Sequence, residues 1–267
     1  MEINSEILIK EKTSNGVLRL VMNDLKTRNA LSENMMSVLM AAINEASINS
    51  SIKVVVIASN GNVFCSGHDL KEINMARGNT DQGDDYFEKL FKKCSILMQA
   101  IVNCPKPIIA EINGVATAAG CQLVASCDLA IASDESRFAT PGVNIGLFCS
   151  TPMVALSRNV SNKAAMEMLL TGEIVDSEKA EHIGLVNQVV EDNNLTESTM
   201  TMAKLIASKS SMTLKTGKQA FYKQKEMSLS DAYDYTSSVM VENMLKIDAQ
   251  EGIDAFIEKR QPKWQDE

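Results

Sequence analysis

The pattern of hydrophobic and polar positions divides the chain into a mixed first part and a helical last part. Residues 7–22 alternate around a Ser-Asn-Gly turn at 14–16, which is typical of a β-hairpin. Wholly apolar runs at 54–59, 107–112 and 129–133 predict strands buried on both faces, as in a parallel sheet. The first half of the chain therefore reads as an α/β core.

Helical periodicity fills the stretches between and after these strands. Ser32 is a predicted N-cap for an amphipathic helix over 33–48, and two further helices are predicted over 86–103 and 119–127. Beyond residue 160 the pattern is mostly helical. The predicted helices there span 162–171, 176–183, 195–208, 212–226, 230–247 and 248–259. An α/β core followed by a helical C-terminal part is the expected architecture.

Composition and charge narrow the function classes. The content of 45% hydrophobic and 22% charged residues is that of a globular protein. The net charge of −8 argues against nucleic acid as a partner, since that binding needs a basic face. No apolar run approaches the roughly 18 residues of a membrane helix. The start of the sequence lacks the features of a signal or transit peptide, which predicts a cytoplasmic protein. The six cysteines form no CxxC pair, and we expect them to be reduced thiols.

Two turns that follow apolar runs carry the first candidate chemistry. Small residues, Ala118 to Gly120, begin the helix predicted at 119–127, and free N–H groups at a helix start favour an oxygen that carries negative charge. The turn over 65–70, CSGHDL, holds Gly67 and also ends where a helix opens. We expect these two donor-rich turns to converge on one carbonyl oxygen.

Simpler interpretations of both turns stay open on the pattern alone. Small residues before a helix more often serve close packing, and Asp69 beside His68 is more often a helix cap than half of an acid–base pair. The motifs GxGxxG, GxxxxGK[ST] and GxSxG are absent, so dinucleotide, P-loop and α/β-hydrolase chemistry lack support. Two histidines and these cysteine spacings predict no metal site.

Seven motifs taken together resemble the crotonase, or enoyl-CoA hydratase/isomerase, superfamily. They keep order and approximate spacing over nearly the whole chain, and within the superfamily they are most similar to the enoyl-CoA hydratase domain-containing protein 3 group. The motifs are LKTRNALS (25–32), VFCSGHDLKE (63–72), PKPIIAEINGVATAAGCQLVASCDLAIAS (105–133), FATPGVNIGL (138–147), LLTGE (169–173), AEHIGLVNQVV (180–190) and EGIDAFIEKRQPKW (251–264).

The resemblance implies an α/β fold of the ClpP-like type, a spiral of ββα units over residues 1–200 that carries an acyl-CoA site. A C-terminal α-helical region over 201–267 would pack between subunits in a homotrimer or a dimer of trimers. The implied ligand is an acyl-CoA thioester, with coenzyme A as part of the substrate and no separate cofactor.

The same resemblance assigns roles to particular residues. The backbone N–H groups of His68 and Ala119 would hold the thioester oxygen. Further residues would bind the rest of the ligand, and one of them, near the C-terminus, would reach the nucleotide, in some relatives from a neighbouring subunit. These residues are Lys26, Arg28, Ala30, Asp69, Leu70, Lys71, Gly120 and Lys259.

Two departures from the family pattern change the expected chemistry. Hydratases of this family activate water with two glutamates, and the corresponding positions here hold Gln122 and Gly142. A carboxamide orients water but does not take its proton at neutral pH, and glycine has no side chain. We therefore expect acyl-CoA binding and enolate stabilisation without efficient hydration.

Several alternatives stay open for the reaction. Decarboxylation, thioester hydrolysis and weak hydratase or isomerase activity each fit a thioester enolate, and a non-catalytic acyl-CoA-binding oligomer is a fourth possibility. His68 could shuttle a proton near pH 7. Cys149 is expected to be a buried, inert thiol rather than a nucleophile, and His182 is expected to be structural.

Overall fold

Within residues 7–267, which the computed structural model describes, two β-sheets pack among eleven α-helices. The strands are β1 (Leu8–Lys12), β2 (Val17–Met22), β3 (Val54–Ser59), β4 (Val63–Cys65), β5 (Ile108–Ile112), β6 (Val115–Thr117), β7 (Leu129–Ser133), β8 (Arg137–Ala139), β9 (Val175–Asp176) and β10 (Gln188–Val190). The helices are α1 (Glu33–Ile48), α2 (Leu70–Ala76), α3 (Asp84–Asn103), α4 (Ala119–Ser126), α5 (Ser150–Leu156), α6 (Asn162–Thr171), α7 (Ser177–His182), α8 (Leu195–Ala207), α9 (Ser211–Gln224), α10 (Leu229–Met244) and α11 (Ile247–Ile257). Two short 3₁₀ helices cover Pro141–Ile145 and Asp192–Asn194.

The larger sheet has the strand order β1-β2-β3-β5-β7-β10. Strands β1 and β2 form the antiparallel hairpin that the alternating pattern predicts, and every later pair in this sheet is parallel. Strand β3 is buried along its whole length, which is why its sequence is apolar throughout rather than alternating. The α/β core predicted from the sequence is thereby confirmed.

The smaller sheet has the order β4-β6-β8-β9 and was not predicted. Its strands have two or three residues each, too few to produce a recognisable period. The sequence predicts a loop over 61–69, and β4 lies inside that range. Strands β4, β6 and β8 are parallel, so their carboxyl ends lie along one edge of the sheet. That edge carries the candidate site.

The helices follow their sequence signals closely. Helix α1 has the predicted bounds, and the Ser32 side chain accepts a hydrogen bond from the Met35 amide at 3.1 Å, as an N-cap does. Helix α6 also has the predicted bounds, and the other predicted C-terminal helices differ from the observed ones by at most three residues at either end. Ends are the least certain part of a helix prediction because terminal turns fray.

Two of the C-terminal helices are fixed to the core by different means. Helix α8 runs across residue 200 and packs Ala203 and Ala207 on the larger sheet. Helix α9 is held by a partly buried ion pair, in which Lys218 Nζ lies 2.7 Å from Asp128 Oδ2 just before β7. The division of the chain into residues 1–200 and 201–267 stays a prediction.

Candidate active site

The turns after β4 and β6 meet, as the sequence predicts. Gly67 adopts a φ of +92°, and a Cβ atom placed on it would lie 3.1 Å from the carbonyl oxygen of Thr117 and 3.5 Å from the amide nitrogen of Ala119. The backbone at 67 therefore lies directly against the start of α4. Glycine is needed here because a side chain at this φ is strained and has no space.

Two backbone amides at this junction have no acceptor of their own. Within residues 7–267, neither the N–H of His68 nor that of Ala119 donates a hydrogen bond to another group. Ala119 is 1% exposed and is the first residue of α4, where an N–H has no partner inside the helix. Since an unpaired buried amide costs free energy, this pair is arranged for an oxygen that arrives from outside.

The approach of α4 to the smaller sheet depends on Gly120. A Cβ atom at this position would lie 2.2 Å from the carbonyl oxygen of Cys65, far inside contact distance. The preceding residue, Ala118, has a φ of +51°, an unfavourable value for a residue with a side chain. Its N–H donates to the Ala139 carbonyl at 2.9 Å, which fixes the turn on strand β8. Strain of this kind is concentrated at functional sites.

The His68 ring is enclosed and neutral. Its Nδ1 lies 3.3 Å from the Leu31 carbonyl oxygen, and its edge contacts the Phe91 ring at a centroid distance of 5.6 Å. Its Nε2 is buried and has no hydrogen-bond partner among the described residues. Burial lowers the pKa of His68 below its ordinary value of 6.5, against a smaller opposing effect of the Leu31 carbonyl. The ring is therefore deprotonated at pH 7.

Gln122 lies one helical turn after Ala119 and is 4% exposed. Its Oε1 accepts a hydrogen bond from the Cys94 thiol on α3 at 3.8 Å. Burial raises the pKa of Cys94 to about 12, so this thiol stays protonated and acts as a donor. Cys94 was missed by the sequence analysis, because nothing in the 86–103 pattern distinguishes it from an ordinary core residue.

Gly142 lies in the 3₁₀ turn at Pro141–Ile145 and is buried. A Cβ atom here would lie 2.7 Å from the Leu147 carbonyl oxygen and 2.9 Å from Cys149 Sγ. Its φ is outside the left-handed region, so steric contact and not backbone conformation excludes a side chain. This site therefore has no space for the second glutamate of the hydratase pattern.

The remaining titratable groups supply no base at the junction. Burial raises the pKa values of Cys65 and Cys121 to about 12 and also raises that of Cys149, so these thiols stay neutral. The buried carboxylates of the described residues are engaged elsewhere: Glu111 pairs with Arg19 at 2.6 Å, and Asp248 accepts the amides of the C-terminal segment. His68 is the one candidate for proton transfer that these groups leave.

The loop that precedes α1 packs against the Gly67 turn. The Leu31 amide donates to the Gly67 carbonyl at 2.7 Å, and the Ser66 amide donates to the Arg28 carbonyl at 3.2 Å. The buried Asn29, which the sequence analysis did not single out, holds this loop by donating to the carbonyls of Asn60 and Val63. The two segments expected to bind coenzyme A are thus adjacent.

The individual residues expected to bind coenzyme A differ in position. Ala30 is buried, whereas Lys26, Arg28, Leu70 and Lys71 are exposed around the junction. Asp69 serves as the N-cap of α2, with its carboxylate accepting from the Lys71 amide at 2.8 Å. This is the simpler of the two interpretations that the sequence left open for Asp69.

Lys259 is not part of this cluster within the described chain. It lies two residues past the end of α11 with a φ of +56°, and no hydrogen bond or ion pair joins it to the segments around 26–30 or 66–71. Its expected contact with the nucleotide of coenzyme A stays a prediction. In the expected trimer, Lys259 would reach the site of a neighbouring subunit.

A cavity of about 820 Å³ lies beside the junction, between α3, α4, α5 and α9. Gln122, Ala125 and Ser126 contribute the α4 wall. Because residues three and four apart share a helix face, this wall continues the face on which Ala119 lies. Neither His68 nor Ala119 lines this cavity, which begins one helical turn further along α4.

These features define a protein of the enoyl-CoA hydratase/isomerase family. The model of that family matches residues 12–267, and the chain belongs to it. A rat protein named enoyl-CoA hydratase domain-containing protein 3, mitochondrial, is 49% identical over 96% of this chain and 84% of its own length. The predicted likeness to that group is confirmed.

Solved structures give the same result for the fold. The crystal structure of human enoyl-CoA hydratase domain-containing protein 3 superimposes with a TM-score of 0.92 at 47% identity, covering 97% of this chain and all of the human one. An enoyl-CoA hydratase from Mycobacterium smegmatis gives a TM-score of 0.92 at 45% identity, covering 97% and 99% of the two chains. The crotonase fold predicted from the motifs is thereby confirmed.

The predicted cytoplasmic location is wrong. The rat protein and its frog, mouse, human and zebrafish counterparts are named as mitochondrial, which points to mitochondria. The start of the given sequence was therefore no guide to compartment. Among the described residues, no helix combines the length and apolar character needed to cross a bilayer.

Proposed function

We propose that this protein binds acyl-CoA thioesters and polarises their carbonyl group between the amides of His68 and Ala119. The observation that carries the proposal is the pair of unsatisfied backbone donors at two turns in contact. Amide donors preorganised in a dry site favour an oxygen on which negative charge develops, as it does in a thioester enolate. Each good donor of this kind contributes about 3–4 kcal/mol to the transition state.

Hydration of an enoyl-CoA is a poor fit to the same site. Water addition needs a group that removes a proton from water, and Gln122 and Gly142 stand at the positions where the family resemblance expects the two glutamates. Loss of general acid–base catalysis lowers a rate by about 10²–10⁴. We infer that hydration of crotonyl-CoA is about 10³-fold slower than in a two-glutamate hydratase.

Decarboxylation of a 2-carboxyacyl thioester, such as malonyl-CoA, fits the groups that are present. Loss of CO₂ forms the enolate without any base, because the electron pair of the breaking carbon–carbon bond moves toward the thioester carbonyl. The two amides stabilise the oxyanion that results, and the carbon then takes a proton from water or from a neighbouring acid. This reaction asks only for the donors that the turns supply.

A second candidate is an acyl-CoA-binding protein with no turnover. The neutral state of His68 and the raised pKa of Cys149 favour it, because no group at the junction is poised to act as a strong base or nucleophile. The family's thioesterase reaction requires an activated water, and the same shortage of bases argues against it.

A single set of measurements tests the proposal. Purified protein is assayed for hydration of crotonyl-CoA and for decarboxylation of malonyl- and methylmalonyl-CoA, and binding of butyryl-CoA is measured by calorimetry. We expect saturable butyryl-CoA binding and hydration about 10³-fold below that of a two-glutamate hydratase assayed in parallel. A hydration rate equal to that control, or no binding of any thioester, would contradict the proposal.

Decarboxylation decides between the two candidates. Saturable release of CO₂ that falls in a His68→Pro variant, which lacks one amide donor, favours the enzyme. Binding without turnover on any of these substrates favours the non-catalytic protein. Asn15→Ala, a substitution in the exposed turn between β1 and β2, serves as the control for effects of purification and folding.

A further inference from the structure

We propose that residues 260–267 form a strap that folds back across α11 and holds Lys259 in position, with Asp248 as the buried anchor of the strap. Lys259 is the residue near the C-terminus that is expected to bind coenzyme A. The inference rests on the proposed function in one respect, because it assumes that the protein binds a coenzyme A thioester. It gives Asp248 and the last sequence motif a role that the two amides of the site leave unexplained.

The anchor of the strap is the carboxylate of Asp248, near the start of α11. Its Oδ1 accepts a hydrogen bond from the Gln265 amide at 2.7 Å, and its Oδ2 accepts one from the Asp266 amide at 3.0 Å. The Asp248 amide in turn donates to the Glu267 carbonyl at 3.1 Å. Asp248 is 1% exposed. A buried carboxylate is costly unless its oxygens are hydrogen-bonded, and the amides of the strap supply those bonds.

The residues of the C-terminal motif contact one another across α11. Arg260 pairs with Glu251 in a bidentate manner, with Nη1 and Nη2 at 2.6 and 2.9 Å from the two carboxylate oxygens. The Lys263 amide donates to the same carboxylate at 2.7 Å. A Cβ atom placed on Gly252 would lie 3.2 Å from the Trp264 ring, so the glycine gives the indole its space. These contacts pack the strap on α11.

The far end of the strap is attached to the core. Trp264 Nε1 donates to the Ser208 carbonyl, just past α8, at 2.9 Å. The Asp266 carboxylate accepts from the Ser211 amide at the start of α9, at 2.6 Å, and lies 3.7 Å from Lys53 Nζ. Asp266 has a φ of +61°, an unfavourable value that these contacts maintain. The strap therefore joins α11 to α8, to α9 and to the start of β3.

Helix α11 has little other attachment to the rest of its own chain. Asp248 and Ala255 are its buried residues, and the first of these is the anchor. Phe256 and Ile257 are strongly exposed. Most helices in proteins are stabilised by an apolar face that packs on the core, and within residues 7–267 α11 buries no such face. Its position in a single chain therefore depends on the strap.

Lys259 lies between α11 and the strap, so both determine its position. Its φ of +56° is unfavourable for a residue with a side chain, and its amide donates to the Phe256 carbonyl at 3.3 Å. Arg260 is fixed by its amide on the Ala255 carbonyl at 2.9 Å and by its guanidinium on Glu251. The Lys259 side chain is exposed and has no hydrogen bond or ion pair among the described residues. The strap thus engages Arg260 and leaves Lys259 available to a ligand.

Trp264 is the only tryptophan of the chain, so its fluorescence reports on the strap alone. Asp248→Asn replaces one carboxylate oxygen by an NH₂ group, which cannot accept a hydrogen bond. Since both oxygens accept an amide, either orientation of the new side chain leaves one amide of the strap unpaired. The emission of Trp264 should move to longer wavelength, and acrylamide should quench it more strongly than in the wild type.

Asp254→Asn is the matched control, because Asp254 is an exposed acid on the same helix. It should leave the emission and the quenching of Trp264 unchanged.

Binding is measured by calorimetry with two probes, butyryl-CoA and S-butyryl-pantetheine, which lacks the nucleotide. Asp248→Asn should bind butyryl-CoA about tenfold more weakly than the wild type and bind butyryl-pantetheine equally well. General damage to the thioester site would instead weaken both probes. Lys259→Gln should show the same difference between the probes while its Trp264 emission stays that of the wild type.

Two results would overturn the inference and leave the proposed function intact. One is an Asp248→Asn variant with the Trp264 emission of the wild type. The other is a released Trp264 with equal losses of affinity for the two probes, or with no loss. Failure of the wild type to bind butyryl-CoA would overturn both. Thermal melts followed by circular dichroism show whether each variant folds. If Asp248→Asn does not fold, Asp266→Ala, which removes the carboxylate at the exposed end of the strap, carries the same expectations.

Discussion

Gln122 illustrates how one side chain changes what a backbone arrangement can do. The amides of His68 and Ala119 are independent of side-chain identity, so they persist whatever residue stands beside them. The proton chemistry of hydration depends on side chains and does not persist. The carboxamide keeps a donor and an acceptor but loses the ability to take a proton at neutral pH.

The neutral state of His68 leads to a prediction about pH. Burial lowers its pKa, so the unfolded chain takes up a proton near pH 6.5 while the folded protein does so only at lower pH. Unfolding is then favoured by proton uptake, and the stability present above pH 6.5 is lost as the pH falls. Urea unfolding should show a smaller loss of stability between pH 7 and pH 5 in His68→Asn than in the wild type.

His182 provides the control, since it is the other histidine and is exposed on α7. His182→Asn should follow the wild-type dependence on pH. Equal pH dependence of the wild type and His68→Asn would mean that the imidazole is accessible to solvent and free to take up a proton in the folded protein.

At the level of single residues, the sequence predicted the two amide donors of the site but not the side chains that pack around them. The resemblance placed His68, Ala119, Gln122 and Gly142, and the fold brings the first three together. Cys94 could not be foreseen, because its contact with Gln122 depends on how α3 packs against α4. The sequence shows that Gly142 has no side chain but not why, and the reason is contact with Leu147 and Cys149.

At the level of elements, the position of α4 against β4 decides whether the site exists. Gly120→Ala should destabilise the protein by about 2–4 kcal/mol, because the added methyl group would lie 2.2 Å from a backbone oxygen that cannot move without displacing β4. Guanidinium unfolding measures the change. Loss of butyryl-CoA binding should accompany it, since the two turns would separate.

Gly217→Ala is the matched substitution at a helical glycine without that contact. Nothing lies within 4 Å of the position where its Cβ would be placed, in the middle of α9. This variant should be stabilised by about 0.5–1 kcal/mol, as alanine is the better helix former. If Gly120→Ala stabilised the protein as much as Gly217→Ala does, the contact between α4 and the Cys65 carbonyl would be ruled out.

The sequence predicted long elements and missed short ones. Helix α1 and strand β3 have enough residues to show a period or a continuous apolar run, and α1 also has the Ser32 cap. The smaller sheet is built from strands of two or three residues whose pairing is set by distant parts of the chain. Its strands carry the turns of the site. The convergence of those turns was expected from the two donor-rich turns themselves and from the resemblance, not from any period in these strands.

For the whole molecule, the surface of the C-terminal helices supports the expected oligomer. Helix α10 has no buried residue, and exposed apolar side chains follow one another through α10 and α11. They include Tyr233, Met240, Val241, Met244, Leu245, Ile253, Phe256 and Ile257. Contiguous apolar surface of this kind marks an interaction site on a globular protein.

We predict a homotrimer or a multiple of it. Light scattering after size-exclusion chromatography should give three or six times the chain mass of 29.1 kDa. Leu245→Asp combined with Phe256→Asp should shift the protein toward a single chain, because each substitution places a charge in the apolar surface. A wild-type mass equal to one chain at micromolar concentration would contradict the prediction.

The most direct test of the central claim is the infrared spectrum of the bound thioester carbonyl. Butyryl-CoA labelled with ¹³C at the carbonyl should show a lower stretching frequency when bound to the wild-type protein than in water, because two amides draw charge onto the oxygen. Proline is tolerated at the first position of a helix and lacks the N–H. Ala119→Pro, with His68→Pro as a second variant, should reduce the shift while leaving the protein folded by thermal melting. A bound carbonyl with the same frequency as in water, or an equal shift in folded variants that lack either amide, would contradict the account.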